Sequence, residues 1–266
     1  MDNIDTTDQN SENVSGESEA PVETELSHTD KMVGIFSEPS TTYESIAKFP
    51  PRTMDWFLPL LFVVILSIAS QFILFNNPEI KYQIVQKQTE AIQKAVEDGK
   101  ITQEQADKQK QFLSGSFMSI ISSVSTLIFV PLIFFIVTLI FFLASKFGLK
   151  GDGTYSSALV ANGLSMYILI IHLILATVVG IIMGKLIRDL SLTSLLGMDK
   201  TSFVGWLLSF VDVLTIWGFA VLSIGLAKMF KAASTMKYFV MVFGLWIIWK
   251  ILVFSLQGAL PFLKNF

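Results

Sequence analysis

Residues 111–145 decide the fold: QFLSGSFMSIISSVSTLIFVPLIFFIVTLIFFLAS. These 35 residues include no Asp, Glu, Lys, Arg or His. A helix needs about 20 predominantly apolar residues to cross the hydrocarbon core of a bilayer. The stretch is continuously apolar and does not alternate, so it does not resemble a strand of a transmembrane barrel. We therefore predict a membrane-spanning helix here, kinked at Pro131.

Four further stretches are nearly as apolar, and each contains at most one ionisable residue near its middle. Inside lipid, a helix satisfies all of its own backbone polar groups, which makes it the expected form of each stretch. The sequence thus predicts an all-α integral membrane protein built as a five-transmembrane-helix bundle. The predicted spans are 56–76, 118–145, 157–184, 203–227 and 238–260.

The composition agrees with a membrane protein and excludes several kinds of site. Hydrophobic residues make up 52% of the 266 residues and charged residues 15%, against about 25% charged in a soluble domain. The absence of Cys excludes disulfides, zinc–thiolate sites and cysteine nucleophiles. The net charge of −3 hides an uneven distribution. Residues 1–30 contain nine acids and no Lys or Arg, which predicts a disordered acidic tail.

The segment 31–55 is predicted to hold an interfacial helix before the first span. Thr41 and Glu44 stand in the register of a capping box. Pro50 and Pro51 end the helix, and its apolar residues share one face. A helix of this kind lies flat on the surface of a bilayer.

Residues 79–110 form a charged arm between the first two spans. Six acids and six bases accompany apolar residues at helical spacing,. Asp98 and Gly99 interrupt the pattern, and Thr102 and Gln105 restart it as a capping box. We predict a helical hairpin outside the membrane. A coiled-coil arm that binds a partner remains the alternative.

The Asp, Glu, Lys, Arg and His residues within the predicted spans are Asp212, Lys250 and His172. Counting along continuous helices places Asp212 about 14 Å and Lys250 about 12 Å from the same membrane face. We predict that they form a buried ion pair or share a polar network through a third helix. His172 reaches a comparable depth. The functional alternative is a proton or ion path through these three residues.

The sequence predicts no catalytic, cofactor-binding or metal site. It contains no P-loop, GxGxxG, HExxH or GxSxG motif, and its two histidines cannot form a multi-histidine metal site,. No basic patch indicates a nucleic-acid partner. Gly180 and Gly184 form a GxxxG motif, which predicts either packing within the chain or dimerisation. The expected partners are the lipid bilayer and either a second copy or other membrane proteins.

Several short motifs resemble the Yip family of integral membrane proteins, the Ypt/Rab-interacting proteins. The motifs are IFSEPSTTYESIAKFPP at 35–51, GTYSSAL at 153–159, DVLTIW at 212–217 and SIGLA at 223–227. The resemblance covers about 31–260 and implies a five-helix bundle with a cytosolic N-terminus. It implies structural or partner-contacting roles for seven positions: Phe36, Pro39, Pro50, Tyr155, Asp212, Trp217 and Gly225.

Eukaryotic Yip proteins act in vesicle traffic and contact Rab-type GTPases. This chain lacks their Asp-Leu-Tyr-Gly-Pro signature and carries the charged arm, so the resemblance points to a bacterial-like member and does not favour a GTPase partner. The distribution of Lys and Arg outside the arm favours an internal N-terminus and an external C-terminus, and the resemblance implies a bacterial cytoplasmic membrane. We expect a non-enzymatic membrane scaffold or organiser. The alternative is a small transporter or channel that uses Asp212, His172 and Lys250.

Overall fold

The computed structural model describes residues 24–113 and 117–257, and all the regular elements within these residues are helical. Their bounds are α1 His28–Ser37, α2 Pro39–Ile46, α3 Met54–Asn76, α4 Pro78–Glu97, α5 Gln103–Leu113, α6 Phe117–Leu143, α7 Tyr155–Met183, α8 Leu192–Leu196, α9 Phe203–Leu208, α10 Val213–Met229 and α11 Thr235–Leu256. A π-helical turn, Ala144–Gly148, extends α6.

Helices α3 and α7 run parallel and in close contact. A Cβ atom on Gly163 would lie 2.3 Å from the Cα of Trp56, and one on Gly180 would lie 3.5 Å from Leu74. Helix α6 runs antiparallel to α3, since the ring of Trp56 stacks on Phe134 near the far end of α6. Glycine at position 163 therefore permits the backbone approach that forms the centre of the bundle.

Helices α10 and α11 continue the alternation of direction. Gly218 of α10 faces Ile168 of α7, and the ring of Phe219 lies 5.3 Å from that of Trp246 in α11. The arm, α4 and α5, lies beyond the ends of α3 and α7, and we call this end of the bundle the arm end. The N-terminal end of the bundle contains α1 and α2.

Within the described residues, four helical segments are long and apolar enough to cross a membrane: Met54–Asn76, Ser119–Gly148, Tyr155–Met183 and Thr235–Leu256. These agree with four of the predicted spans, although residues 258–260 of the last one lie outside the described residues. The predicted span at 203–227 is not one continuous helix. It is broken at residues 209–212 into α9 and the 17-residue α10. The break follows from Asp212, whose carboxylate caps α10 and thereby starts a new helix.

The N-terminal helix pair, α1 and α2, corrects the prediction of a single interfacial helix. Ile35 and Tyr43 are fully buried, and Ile46 is nearly so, in the same core cluster as residues of α7 and α10. Helix α2 begins at Pro39 and not at the predicted Thr41 cap. Glu44 is left to pair with Lys228 of α10 at 2.6 Å. The apolar face of this segment is therefore covered by protein.

The predicted acidic tail is partly corrected and partly lies outside the described residues, which begin at residue 24. Residues 24–30 belong to the folded part of the chain. Helix α1 begins at His28, and the Ser27 hydroxyl caps it by accepting a hydrogen bond from the backbone N–H of Asp30. This cap and the ion pairs described below hold residues 24–30 in place, although these residues bury little apolar surface.

The arm forms the predicted helical hairpin. Gly99, with φ of 69°, makes the left-handed turn between α4 and α5 that glycine favours. The predicted capping box is present, since Gln105 N–H donates to the Thr102 hydroxyl and Thr102 N–H donates to the Gln105 side chain. The side chain of Gln83 donates to the carbonyl of Gly184 at 2.8 Å. The arm is thereby attached to the end of α7.

Candidate functional site

Asp212 is buried between three parts of the chain at the start of α10. One carboxylate oxygen accepts a hydrogen bond from Thr215 N–H at 3.1 Å and so caps α10. The other lies 2.9 Å from Nε2 of His172 in α7 and accepts from Leu190 N–H at 3.1 Å. This carboxylate therefore joins α7, α10 and the segment between α7 and α8.

Lys250 does not occupy its predicted place as the direct partner of Asp212. Its Nζ donates to the hydroxyl of Ser209 at 3.4 Å and lies 6.0 Å from the centre of the Phe210 ring. The reason is the break in the fourth span. Because residues 209–212 leave the helical path, depth counted along a continuous helix does not bring Lys250 and Asp212 together. The structure brings Asp212 and His172 together, whereas Lys250 contacts Ser209 and not their network.

A second polar cluster holds the segment between α7 and α9 and lies outside the spans. Asp189 accepts hydrogen bonds from the hydroxyls of Ser191 and Ser194 and pairs with Lys200. Burial by itself would raise the pKa of Asp189. The hydrogen bonds and the charge of Lys200 have the larger effect and hold the pKa of Asp189 far below its ordinary value,. Asp189 is therefore the charged centre that organises this segment.

The N-terminal helix pair meets α10 at residues from separate motifs. The ring centre of Phe36 lies 5.7 Å from that of Trp217. Tyr43 donates its hydroxyl hydrogen bond to the carbonyl of Ala161 at 2.8 Å, and its ring lies directly on Gly225. Burial, with a contribution from Asp55, raises the pKa of Tyr43 far above its ordinary value, so the phenol stays a neutral donor,.

A comparison with protein-family models identifies this architecture. The Yip1 domain model matches residues 33–256, from the middle of α1 to the end of α11. The chain belongs to the Yip1 domain family. Comparisons with curated proteins and with solved structures found no significant match. The match includes the N-terminal helix pair, which is therefore part of the Yip1 domain and not an appendage to it.

The remaining family-motif positions of the Yip1 domain have local roles. Pro39 stands at the first position of α2, where its missing N–H has no cost. The hydroxyl of Tyr155 donates to the carbonyl of Phe135 at 3.1 Å, and its ring contacts Phe142. Pro50 lies between α2 and α3. Tyr155 thus ties the start of α7 to α6, while Phe36, Trp217 and Gly225 come together.

A buried charged cluster at the N-terminal end escaped the sequence analysis. Asp55 and Lys31 are each only 2% exposed, and Lys31 Nζ lies 2.7 Å from Asp55 Oδ2 and 2.9 Å from Glu25. Glu25 also pairs with Arg52. The one available signal was an acid directly before the first apolar stretch. Because the predicted span begins at Trp56, Asp55 lies just outside it and is not among the predicted site residues.

His28 connects this cluster to α7. Its Nδ1 lies 3.2 Å from Asp55 and its Nε2 lies 2.6 Å from the hydroxyl of Tyr167. A neutral ring protonated on Nδ1 satisfies both contacts, because Nδ1 then donates to the carboxylate and Nε2 accepts from the phenol. The cluster therefore fastens α1 to the start of α3 and to the middle of α7.

The two glycines of the GxxxG motif have different roles. Gly180 faces Leu74 of α3 and the backbone of Lys185, which is packing within the chain. Gly184 ends α7 in the left-handed conformation, with φ of 59°, as glycine does at helix C-termini. The structure thus accounts for both glycines by contacts within one copy.

Proposed function

We propose that this multi-pass membrane protein is a non-enzymatic scaffold or organiser of the membrane. The observation that carries the proposal is that the ionisable groups inside the bundle are engaged with the protein itself. Asp212 binds His172 and two backbone N–H groups, and Asp55 binds Lys31 and His28. Such groups hold helices together and are poorly placed to handle a substrate.

The scaffold proposal also draws on the outer faces of the bundle. Helices α6 and α11 are the least buried of the four candidate spans, and side chains such as Ile133 and Ile248 are more than half exposed. In a bilayer these faces contact lipid or the helices of other membrane proteins. Contacts to a second copy or to other membrane proteins would use them.

The proposed topology has five crossings, with the N-terminus inside and the C-terminus outside a bacterial cytoplasmic membrane. The crossing that adds to the four candidate spans is formed by α9 and α10 together, and it precedes α11 in the chain. Helix α10 alone is about 26 Å long, close to the hydrocarbon thickness of about 30 Å. The alternating directions of α3, α6, α7, α10 and α11 support this arrangement.

Photocrosslinking in native membranes tests the scaffold proposal. A photoreactive residue at Ile133 or Ile248 should give adducts with a second copy or with another membrane protein. The same residue at Val221, which is buried in the core, is the matched control and should give intramolecular products. Recovery of lipid adducts alone from both exposed positions would contradict the proposal.

The transporter alternative makes a separate prediction. The two cavities described below are lined by described residues other than Asp212, His172 and Lys250, so neither of them supports a polar path to these groups. Reconstituted protein should leave a pH gradient across vesicles as stable as empty vesicles do. A leak that Asp212→Asn abolishes would favour transport over the scaffold.

A further inference from the structure

Two neighbouring cavities lie at the arm end of the bundle. The first, of about 710 Å³, lies between α4 and residues 185–200. The second, of about 420 Å³, lies between α3, α6 and α7 and continues under the arm. Ile84, Gln88 and Arg188 line both. The cavities are therefore adjacent, and we call the first the head chamber and the second the tail slot.

The head chamber has an excess of positive charge. Lys87, Lys185 and Arg188 line it together with Lys200, whose charge is taken up by Asp189. Asp199 is the acid among the described lining residues. Within the described part of the chain, Lys87 and Lys185 have no hydrogen-bond or ion-pair partner. Such a chamber attracts an anionic group.

Gln88, where the two cavities meet, offers a hydrogen-bond acceptor to a bound molecule. Its side-chain oxygen is buried and has no hydrogen-bond partner among the described residues. A buried acceptor without a partner costs about 1–3 kcal/mol. A bound molecule that carries a hydroxyl group would remove this cost by donating to Gln88.

The tail slot extends into the membrane by about the depth of one leaflet. Ser67 lies nine residues from the end of α3, and Leu173 ten residues from the end of α7, which correspond to about 14 and 15 Å. Half of a hydrocarbon core is about 15 Å. The slot is thus as deep as an acyl chain needs.

Four polar side chains of the tail slot, on α3, α6 and α7, are already paired with each other. The hydroxyl of Thr177 donates to that of Ser70 at 2.8 Å, and the hydroxyl of Ser122 donates to Gln71 at 2.5 Å. Because these groups are satisfied, the slot imposes little cost on an apolar occupant. Leu74, Phe75 and Ala176 are among its apolar lining residues.

We propose that the head chamber and tail slot together bind an anionic phospholipid whose headgroup bears a hydroxyl. The phosphate lies among Lys87, Lys185 and Arg188, the headgroup hydroxyl donates to Gln88, and an acyl chain fills the tail slot. Phosphatidylglycerol has this chemistry, whereas phosphatidylcholine has neither the net charge nor the hydroxyl.

Lipid titration of the full-length protein in detergent, read by native mass spectrometry, tests the proposal. Phosphatidylglycerol should bind more tightly than phosphatidylcholine of the same chains. Lys87→Gln/Lys185→Gln should weaken phosphatidylglycerol binding roughly ten- to thirty-fold, since each basic residue near an anionic headgroup contributes about 1 kcal/mol. Lys81→Gln/Lys94→Gln removes the same charge from exposed positions of α4 outside the chamber and should leave binding unchanged. Equal effects of the two pairs, or equal binding of the two lipids, would overturn the proposal.

Further arms separate a lipid from a soluble phosphate compound. Glycerol phosphate, which has the headgroup chemistry without chains, should bind at least a hundred-fold more weakly than phosphatidylglycerol. Ser67→Phe should fill the tail slot and weaken the lipid but not glycerol phosphate, while Ile65→Phe, at an exposed position of α3, serves as its control. Glycerol phosphate that binds as tightly as the lipid would overturn the assignment of a lipid.

A variant of Gln88 provides a readout independent of charge. Gln88→Met removes the unpartnered oxygen, so the lipid-free protein should keep or raise its melting temperature while phosphatidylglycerol stabilises it less than it does the wild type. Undiminished stabilisation by phosphatidylglycerol would contradict the role given to Gln88.

Discussion

Among the described residues, the carboxylate of Asp212 has three hydrogen-bond partners, whereas the ammonium of Lys250 has one hydrogen bond and lies near the Phe210 ring. Asp212 caps α10, pairs with His172 and accepts from Leu190 N–H, whereas Lys250 reaches the hydroxyl of Ser209. Both residues are single charges in apolar stretches of the sequence. Their environments differ because Asp212 lies at a helix end with orphan N–H groups to satisfy, while Lys250 lies within a continuous helix.

This difference predicts unequal costs on substitution. Asp212→Ala removes a helix cap and leaves His172 and Leu190 N–H without an acceptor, so it should destabilise the protein by about 2–4 kcal/mol. Asp212→Asn retains an acceptor for the cap and should cost less. Lys250→Met should cost less than either. Reversible unfolding of purified protein in mixed detergent measures these differences.

Asp107→Asn, on the surface of the arm, is the control for that series and should be close to neutral. The effects of Asp212→Ala and Lys250→Met should add in the double variant, as they do for residues without a direct interaction. If the effects of the two substitutions on the unfolding free energy were strongly non-additive, the direct ion pair between Asp212 and Lys250 would be supported.

Gly225 is the residue at which the family motif has the clearest steric meaning. A Cβ atom there would lie 2.6 Å from the buried ring of Tyr43, which has no room to move. Gly225→Ala should therefore destabilise the protein by about 1–3 kcal/mol and loosen α2 from α10. Limited proteolysis between α2 and α3, together with unfolding, checks both effects.

Gly244→Ala is the matched control, because nothing lies within 4 Å of a Cβ atom at that position of α11. It should be neutral or stabilising, since alanine favours a helix over glycine. If Gly225→Ala and Gly244→Ala changed the free energy of unfolding equally, the contact of Gly225 with Tyr43 would not contribute to stability.

At the scale of elements, the segment between α7 and α10 shows how polar groups divide an apolar stretch. Ser191, Ser202 and Asp212 each cap a following helix, so the segment forms short helices where hydropathy alone predicts one long helix. The arm shows the opposite case. Its capping box and glycine turn are local signals, and both are present in the structure.

The same segment should respond to acid through Asp189. Because the pKa of Asp189 in the folded state is lowered from 3.8, its stabilising effect is complete above about pH 4 and is lost as the pH falls through the folded value. Asp189→Asn should lower the melting temperature at pH 7 by roughly 2–4 °C. The difference from the wild type should shrink below about pH 4. A difference that stays constant down to pH 3 would contradict this role.

For the whole molecule, the alternation of helix directions predicts where each loop lies. The chain contains no Cys, so single cysteines report their own side of the membrane. With the N-terminus inside, Gln103→Cys in the arm should react with an impermeant maleimide in intact cells. Ala233→Cys, between α10 and α11, should react only after permeabilisation. The reverse labelling pattern would show that the N-terminus is outside. Labelling of both cysteines from the same side would contradict the alternating helix directions.

The sequence by itself determined that this is a helical membrane protein with a hairpin arm, because long apolar stretches and local caps act within one segment. It also pointed to the motifs of the Yip family. Only the tertiary structure decided which motifs meet. It placed Tyr43 on Gly225, buried Lys31 against Asp55 and paired Asp212 with His172. These contacts join residues far apart in the chain, and their geometry depends on helix ends that hydropathy does not locate, so no local pattern could specify them.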